Sequence, residues 1–149
     1  MFDTVVLGMD GSPGADRALP YARLLAGSGG RIVAVHVHER MMVRGGTRDV
    51  VADEVDVAAA VRKQVDDLAH EGVHIELATV ETAGTRLAEV LAEVAEKEGA
   101  DVIVLGTRGL GNVEGLLLGS VTQRLLHTAH CPVLAVPPGS AAPPAPGAA

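Results

Sequence analysis

The sequence predicts an α/β protein built on an open, doubly wound parallel sheet of five strands with helices on both faces. Three observations predict it. Short runs rich in Val, Ile and Leu alternate along the chain with longer segments of helical periodicity. The short runs are apolar at consecutive positions, as strands covered on both faces must be. Glycines or Asp-Gly-Ser-Pro type turns stand at most of the boundaries between them.

The first strand is Thr4 to Met9 (TVVLGM), closing in Asp10-Gly11-Ser12-Pro13. Ser12 and Pro13 also read as a helix start, with Ser as N-cap and Pro at the first helical position. Ala15, Ala18, Leu19, Ala22, Leu25 and Ala26 then recur at helical spacing until Gly27, Gly29 and Gly30 stop the pattern. Arg31 to Val37 (RIVAVHV) repeats the buried-strand signature. From Glu39 to Asp49 periodicity is lost and Gly45-Gly46 appears, which predicts an irregular connection. Val51, Val55, Ala58, Arg62, Val65, Leu68 and Ala69 trace a second helix ended by Gly72. Val73 to Val80 is a third strand, more alternating and therefore nearer an edge. Leu87, Val90, Leu91, Val94 and Ala95 mark a third helix ended by Gly99, its other face carrying Glu89, Glu93 and Glu96 as solvated surface. Asp101 to Leu105 is a fourth strand, Gly106 to Leu118 a glycine-rich loop, Ser120 to Thr128 a fourth helix and Pro132 to Val136 a fifth strand. The tail, 138–149, is Pro, Ala, Gly and Ser with nothing to bury, and is expected to be disordered outside a domain of 1–137.

Composition narrows the function classes. With 149 residues the chain has room for one core, filled by aliphatic side chains because it contains one Phe, one Tyr and no Trp. A stacking platform for single-stranded nucleic acid is excluded on that ground. The formal net charge of -7, without a basic cluster, argues against nucleic acid generally. Cys131 is the single cysteine, so no intramolecular disulfide or multi-cysteine zinc site can form, in keeping with a reducing compartment. Neither a cationic leader nor an apolar run of membrane-spanning length is present, so the expected location is the cytoplasm, away from membranes.

In doubly wound sheets a ligand binds beyond the carboxyl ends of the strands, where the winding changes direction, which directs attention to the loops after strands one and four. Gly106-Thr107-Arg108-Gly109 follows strand four, and Gly119-Ser120 opens the next helix. Glycines at a strand end let backbone N–H groups approach a polyphosphate. A helix N-terminus favours an anion, and the Ser120 hydroxyl can donate to a phosphate oxygen or ligate a phosphate-bound Mg²⁺. The alternative is that these glycines only make a tight turn and a close helix contact.

Gly106, Gly109, Gly119 and Ser120 spell Gly-x2-Gly-x9-Gly-Ser, and with Val121 this resembles the ATP-binding signature of the universal stress protein family. VVLGMDGS at Val5 to Ser12 looks like the family's first strand and turn, and CPVLAV at Cys131 to Val136 like its last strand. The resemblance implies the strand order 3-2-1-4-5 of an adenine nucleotide alpha hydrolase-like fold, with the first and fourth strand ends side by side. It implies that Asp10 faces a ribose hydroxyl, although an Asp before Gly can equally cap the following helix. It makes Val37 the position whose backbone N–H and C=O read the adenine edge. Gly8 and Leu105 would line base and ribose, Gly106 and Gly109 would bracket ribose and phosphates, and Gly119, Ser120 and Val121 would hold the phosphates. Arg108 either neutralises phosphate charge or is a solvated surface residue. The implied ligands are ATP and Mg²⁺, and the implied assembly is a homodimer that pairs two copies of Pro132 to Val136, covering an otherwise open sheet edge.

Competing motifs fail. There is no Gly-x4-Gly-Lys-Ser/Thr, and the first turn lacks the third glycine of a dinucleotide fingerprint. His36 and His38 share a strand face, and His127 and His130 can share a helix face, without a Cys or carboxylate at ligand spacing, so His36 reads as a sheet or core histidine. No general base stands near Ser120 in sequence, and Cys131 reads as a small buried hydrophobe. The expected function is that of a nucleotide-dependent regulator in stress response. The alternatives are a slow ATPase or nucleotidyl-transfer enzyme on the same fold, and a dimerisation module that binds no nucleotide.

Overall fold

A computed structural model describes residues 1–49, 53–84, 86–107 and 118–144. In chain order the elements are β1 (Thr4–Gly8), α1 (Pro13–Ala26), β2 (Arg31–Val43), β3 (Gly46–Asp49), α2 (Glu54–His70), β4 (Ile75–Ala83), α3 (Leu87–Glu98), β5 (Val102–Gly106), α4 (Ser120–Thr128) and β6 (Val133–Val136). Local chemistry explains the first helix. Ser12 is extended, its hydroxyl accepts from the Ala15 N–H at 3.3 Å, and Pro13 pre-sets the first helical φ.

The strands are continuous apolar runs because both faces of the sheet are covered. On one face Val5, Leu7, Ile32, Ala34, Val102 and Val104 meet Ala18 and Ala22 of α1 and Val61 and Val65 of α2. On the other, Val6, Val33, Val35, Ile103 and Leu105 meet Leu91 of α3 and Leu125 of α4. Neighbouring residues of one strand thus feed opposite layers, the two-residue period of an extended chain. Ile103 and Leu125 are wholly inaccessible; truncating either to Ala would cost about 2–5 kcal/mol.

Parallel pairings join β4 to β2, β2 to β1, β1 to β5 and β5 to β6. The sheet nevertheless has six strands and is mixed, which corrects the expected five-stranded, all-parallel 3-2-1-4-5 arrangement. The segment read as an irregular connection continues β2 to Val43, turns through Arg44-Gly45 and returns as β3, antiparallel, with Arg40 opposite Asp49 and Val43 opposite Gly46. Gly45 makes the two-residue turn possible, since its φ of 103° is closed to side-chain-bearing residues. His38 Nε2 lies 2.7 Å from the Asp49 carboxylate and ties the returning strand to β2.

Because β4 already occupies one edge of β2 as far as Arg40, β3 takes the edge that β1 uses further back. The hairpin therefore projects past the carboxyl end of β1.

Candidate functional site

The carboxyl ends of β1 and β5 lie side by side, Leu7 opposite Val104. A Cβ added to Gly8 would stand 3.6 Å from the Leu105 Cβ. Leu105 itself is buried in the α3/α4 layer, so only its main chain can face the crevice. Beyond β1 the chain turns sharply. Asp10 Oδ1 accepts from the Ser12 N–H at 2.9 Å, an Asx-turn that shapes the chain before the helix, whereas the cap of α1 itself is Ser12 and not Asp10. The other carboxylate oxygen of this half-buried side chain has no donor among the described residues.

The glycines at the end of β5 and at the start of α4 have measurable reasons to be glycine. A Cβ on Gly106 would lie 2.6 Å from the Gly14 carbonyl carbon, so the start of α1 rests directly on the end of β5. A Cβ on Gly119 would lie 2.7 Å from the Thr107 carbonyl oxygen, and the Gly119 N–H donates to that oxygen at 2.9 Å. Thr107 and Gly119 thereby close the base of the loop between them. Arg108 and Gly109 lie outside the described residues. At the far side of the closure α4 begins without a side-chain cap, its N-cap being Gly119. The Gln123 N–H is the first to find a helical acceptor, the Gly119 carbonyl at 3.1 Å. Among the described residues the N–H groups of Ser120, Val121 and Thr122 have no acceptor, as at any uncapped helix start. Ser120 is exposed and Val121 half-buried. Thr107 is 5% exposed, and its hydroxyl has no hydrogen-bond partner among the described residues.

Val37 stands where two pairings of β2 stop. The Arg31 N–H donates toward β1, to Asp3, and the Ile32 N–H toward β4, to His74, so odd-numbered residues of β2 turn their main chain to the β1 edge. Val35 is satisfied there by the Met9 N–H at 2.9 Å. Met41 faces Arg48 of β3. Between them the N–H and C=O of Val37 have no partner on that edge among the described residues. A donor and an acceptor are thus presented together in a gap bounded by β1 and the hairpin.

Two features escaped the sequence. His36 is not merely a tolerated histidine: it is 3% exposed, with Nε2 2.6 Å from Glu54 Oε1 and Nδ1 2.9 Å from the Met9 carbonyl oxygen. Nothing in the local pattern announces this, because the two partners come from the turn after β1 and from the start of α2, both far from His36 in sequence. Glu39 lines a cavity of about 220 Å³ with Leu87, Ala88, Ser120, Val121 and Arg124. Burial pushes its carboxyl pKa up, the N–H groups of Leu87 and Arg86 pull it back less strongly, and Glu89 adds repulsion. Cys131 is half-buried, and burial followed by the charge of Asp101 raises its thiol, the opposite of what a reactive cysteine needs. No group of three or more metal-ligating side chains occurs among the described residues.

The sequence model of the Universal stress protein family matches residues 1–137. A Thermus aquaticus universal stress protein is 38% identical over 140 residues, spanning 91% of this chain and 99% of its own. The structure of UspA from Lactobacillus plantarum superposes with a TM-score of 0.67 at 20% identity, over 89% of this chain and 96% of that one. A universal stress protein solved in complex with cAMP superposes with a TM-score of 0.61 at 24% identity, over 91% and 96% of the two chains.

Proposed function

The chain belongs to the universal stress protein family, and on that premise we propose that it binds an adenine nucleotide, ATP with Mg²⁺ in first place, in the crevice beyond β1 and β5. The function is occupancy: the nucleotide state regulates what the protein contacts in a cytoplasmic stress response. The observation that carries the reading is the open main-chain edge at Val37, facing the same end of the sheet as the uncapped start of α4. An adenine ring offers an acceptor, N1, beside a donor, the 6-amino group, and Val37 offers the complementary N–H and C=O. The N–H groups of Ser120 and Val121, without an acceptor among the described residues, suit phosphate oxygens, and the Ser120 hydroxyl can join them or a bound Mg²⁺. Asp10 can accept from a ribose hydroxyl with the carboxylate oxygen its turn does not use. Gly8, Leu105, Gly106 and Gly109 contribute main chain, and Arg108 adds positive charge to the loop.

Glu39 is the carboxyl group that shares a cavity with Ser120 and Val121 at the start of α4, and occupancy alone accounts for the site without assigning it a part in hydrolysis. A cyclic nucleotide uses the same donors with less charge, which makes cAMP the natural competitor to test. Assembly follows from the sheet edge. Among the described residues β6 pairs with β5 alone, and a second copy of β6 would complete it as a homodimer.

The test is calorimetric titration of ATP and Mg²⁺ into protein shown by denaturing extraction to be nucleotide-free, beside Gly119→Ala. Saturable binding that the variant loses is the expected result. No binding to the folded, empty wild type would overturn the reading.

A further inference from the structure

Among the described residues Val37 has no partner on this edge because the chain of β1 does not continue its ladder, and the reason lies in a buried side chain. In a parallel ladder each residue that donates from one strand is matched, two residues later, by the next donor on the same edge. After the rung in which Met9 N–H meets the Val35 carbonyl, the next would take the Val37 N–H to the Met9 carbonyl. That bond is not made. The Met9 carbonyl accepts instead from His36, whose Nδ1 lies 2.9 Å away. A carbonyl only accepts, so Nδ1 carries hydrogen. Nε2 faces Glu54 Oε1 at 2.6 Å, a separation that places one proton between them, whichever partner holds it. Both side chains are 4% exposed, so neither can turn to water without unpacking the start of α2.

We infer that His36, held by Glu54, is a positioning residue for the base-binding edge: it draws the Met9 carbonyl out of the β1–β2 ladder and so keeps the Val37 main chain free for a ligand. Its value to the ligand rests on the nucleotide reading, whereas its effect on Val37 does not. The same contact reaches Asp10, the next residue after Met9, so the turn that aims the ribose-facing carboxylate is fixed through the same histidine. It also ties α2 to the site, since Glu54 is the first residue of that helix.

Amide hydrogen exchange at Val37 in the nucleotide-free protein, read by NMR, tests this without any ligand. His36→Leu/Glu54→Leu removes the diversion and leaves no buried charge behind, and His36→Asn/Glu54→Gln restores an N–H near the Nδ1 position. The expected result is fast exchange at Val37 in the wild type, slowing by about tenfold or more in the Leu/Leu variant as the rung closes, and recovery in the Asn/Gln variant. ATP affinity should fall about tenfold in the Leu/Leu variant, the worth of one good hydrogen bond. A Val37 amide already protected in the wild type, or unchanged in a folded Leu/Leu variant, would overturn the inference even if ATP binds. Exchange behaving as described in a wild type that binds no ATP would uphold the ladder diversion and sink the nucleotide reading alone.

Discussion

Gly106 at the end of β5 rests on the backbone of Gly14 in α1, so closely that a Cβ on Gly106 would meet three backbone atoms of Gly14 at 2.6 to 2.8 Å. The glycine signature is therefore partly a packing requirement. Gly106→Ala is expected to destabilise the fold by about 1–3 kcal/mol through overpacking. Urea denaturation of the purified variant measures this; unchanged stability would show that the helix yields and that the contact is not tight.

Gly119→Ala separates from it. Its Cβ would press on the Thr107 carbonyl oxygen that its own N–H binds, at the base of the loop and away from the sheet core. The expected outcome is a smaller loss of stability than for Gly106→Ala, with nucleotide affinity lost first. Parallel melting curves and titrations of the two variants check the order.

Glu54 can be tested alone. Glu54→Ala leaves Nε2 of a buried histidine without a partner and should cost about 1–3 kcal/mol. Glu54→Gln should cost less than about 1 kcal/mol, because the Gln amide can donate to Nε2 of a neutral His36 whose Nδ1–H stays on Met9. Equal losses in chemical denaturation would contradict this assignment of donors.

Much of the fold was legible because it rests on local pattern. The Val- and Ile-rich runs became the buried strands β1 and β5, and Ser12-Pro13 started α1 as N-cap and first helical residue. Elsewhere boundaries moved by a few residues: the third predicted strand, Val73 to Val80, is Ile75–Ala83, and the second helix starts at Glu54 rather than Val51. The β2–β3 hairpin was missed because it is exposed: Met41 and Met42 stand opposite polar Arg48 and Thr47, and the apolar Met41-Met42-Val43 run is short and has no apolar partner run on the returning strand. The site divided similarly. Spacing pointed to Gly106, Gly119 and Ser120, but the openness of Val37 depends on His36, Glu54 and Met9 meeting across the fold.

Glu39 supplies a pH dependence. Its folded-state pKa lies above the ordinary 4.5 because burial disfavours the carboxylate. The folded protein therefore holds this proton more tightly than the unfolded chain, and stability falls as pH rises from about 4.5 through the raised pKa. Glu39→Gln removes that slope. The variant should gain stability relative to wild type as pH rises across this window and hold a constant advantage above it, as thermal melts at a series of pH values would show.

Dimerisation through β6 is checked by sedimentation equilibrium at micromolar concentration. Twice the chain mass is expected, and Val133 and Ala135 amides should exchange more slowly in the dimer than on dilution to monomer. A monomer at all concentrations would leave the β6 edge uncovered and remove that part of the account.

The central claim is that ATP sits on the Val37 edge and the start of α4. Two-dimensional NMR of the uniformly ¹⁵N-labelled protein during titration with ATP and Mg²⁺ tests it most directly. The account predicts that the amides of Val37, Ser120 and Val121 shift and saturate together, while Ser28 and His74 at the opposite end of the sheet stay still. Saturable shifts at Ser28 and His74 with none at Val37 or Ser120 would contradict it.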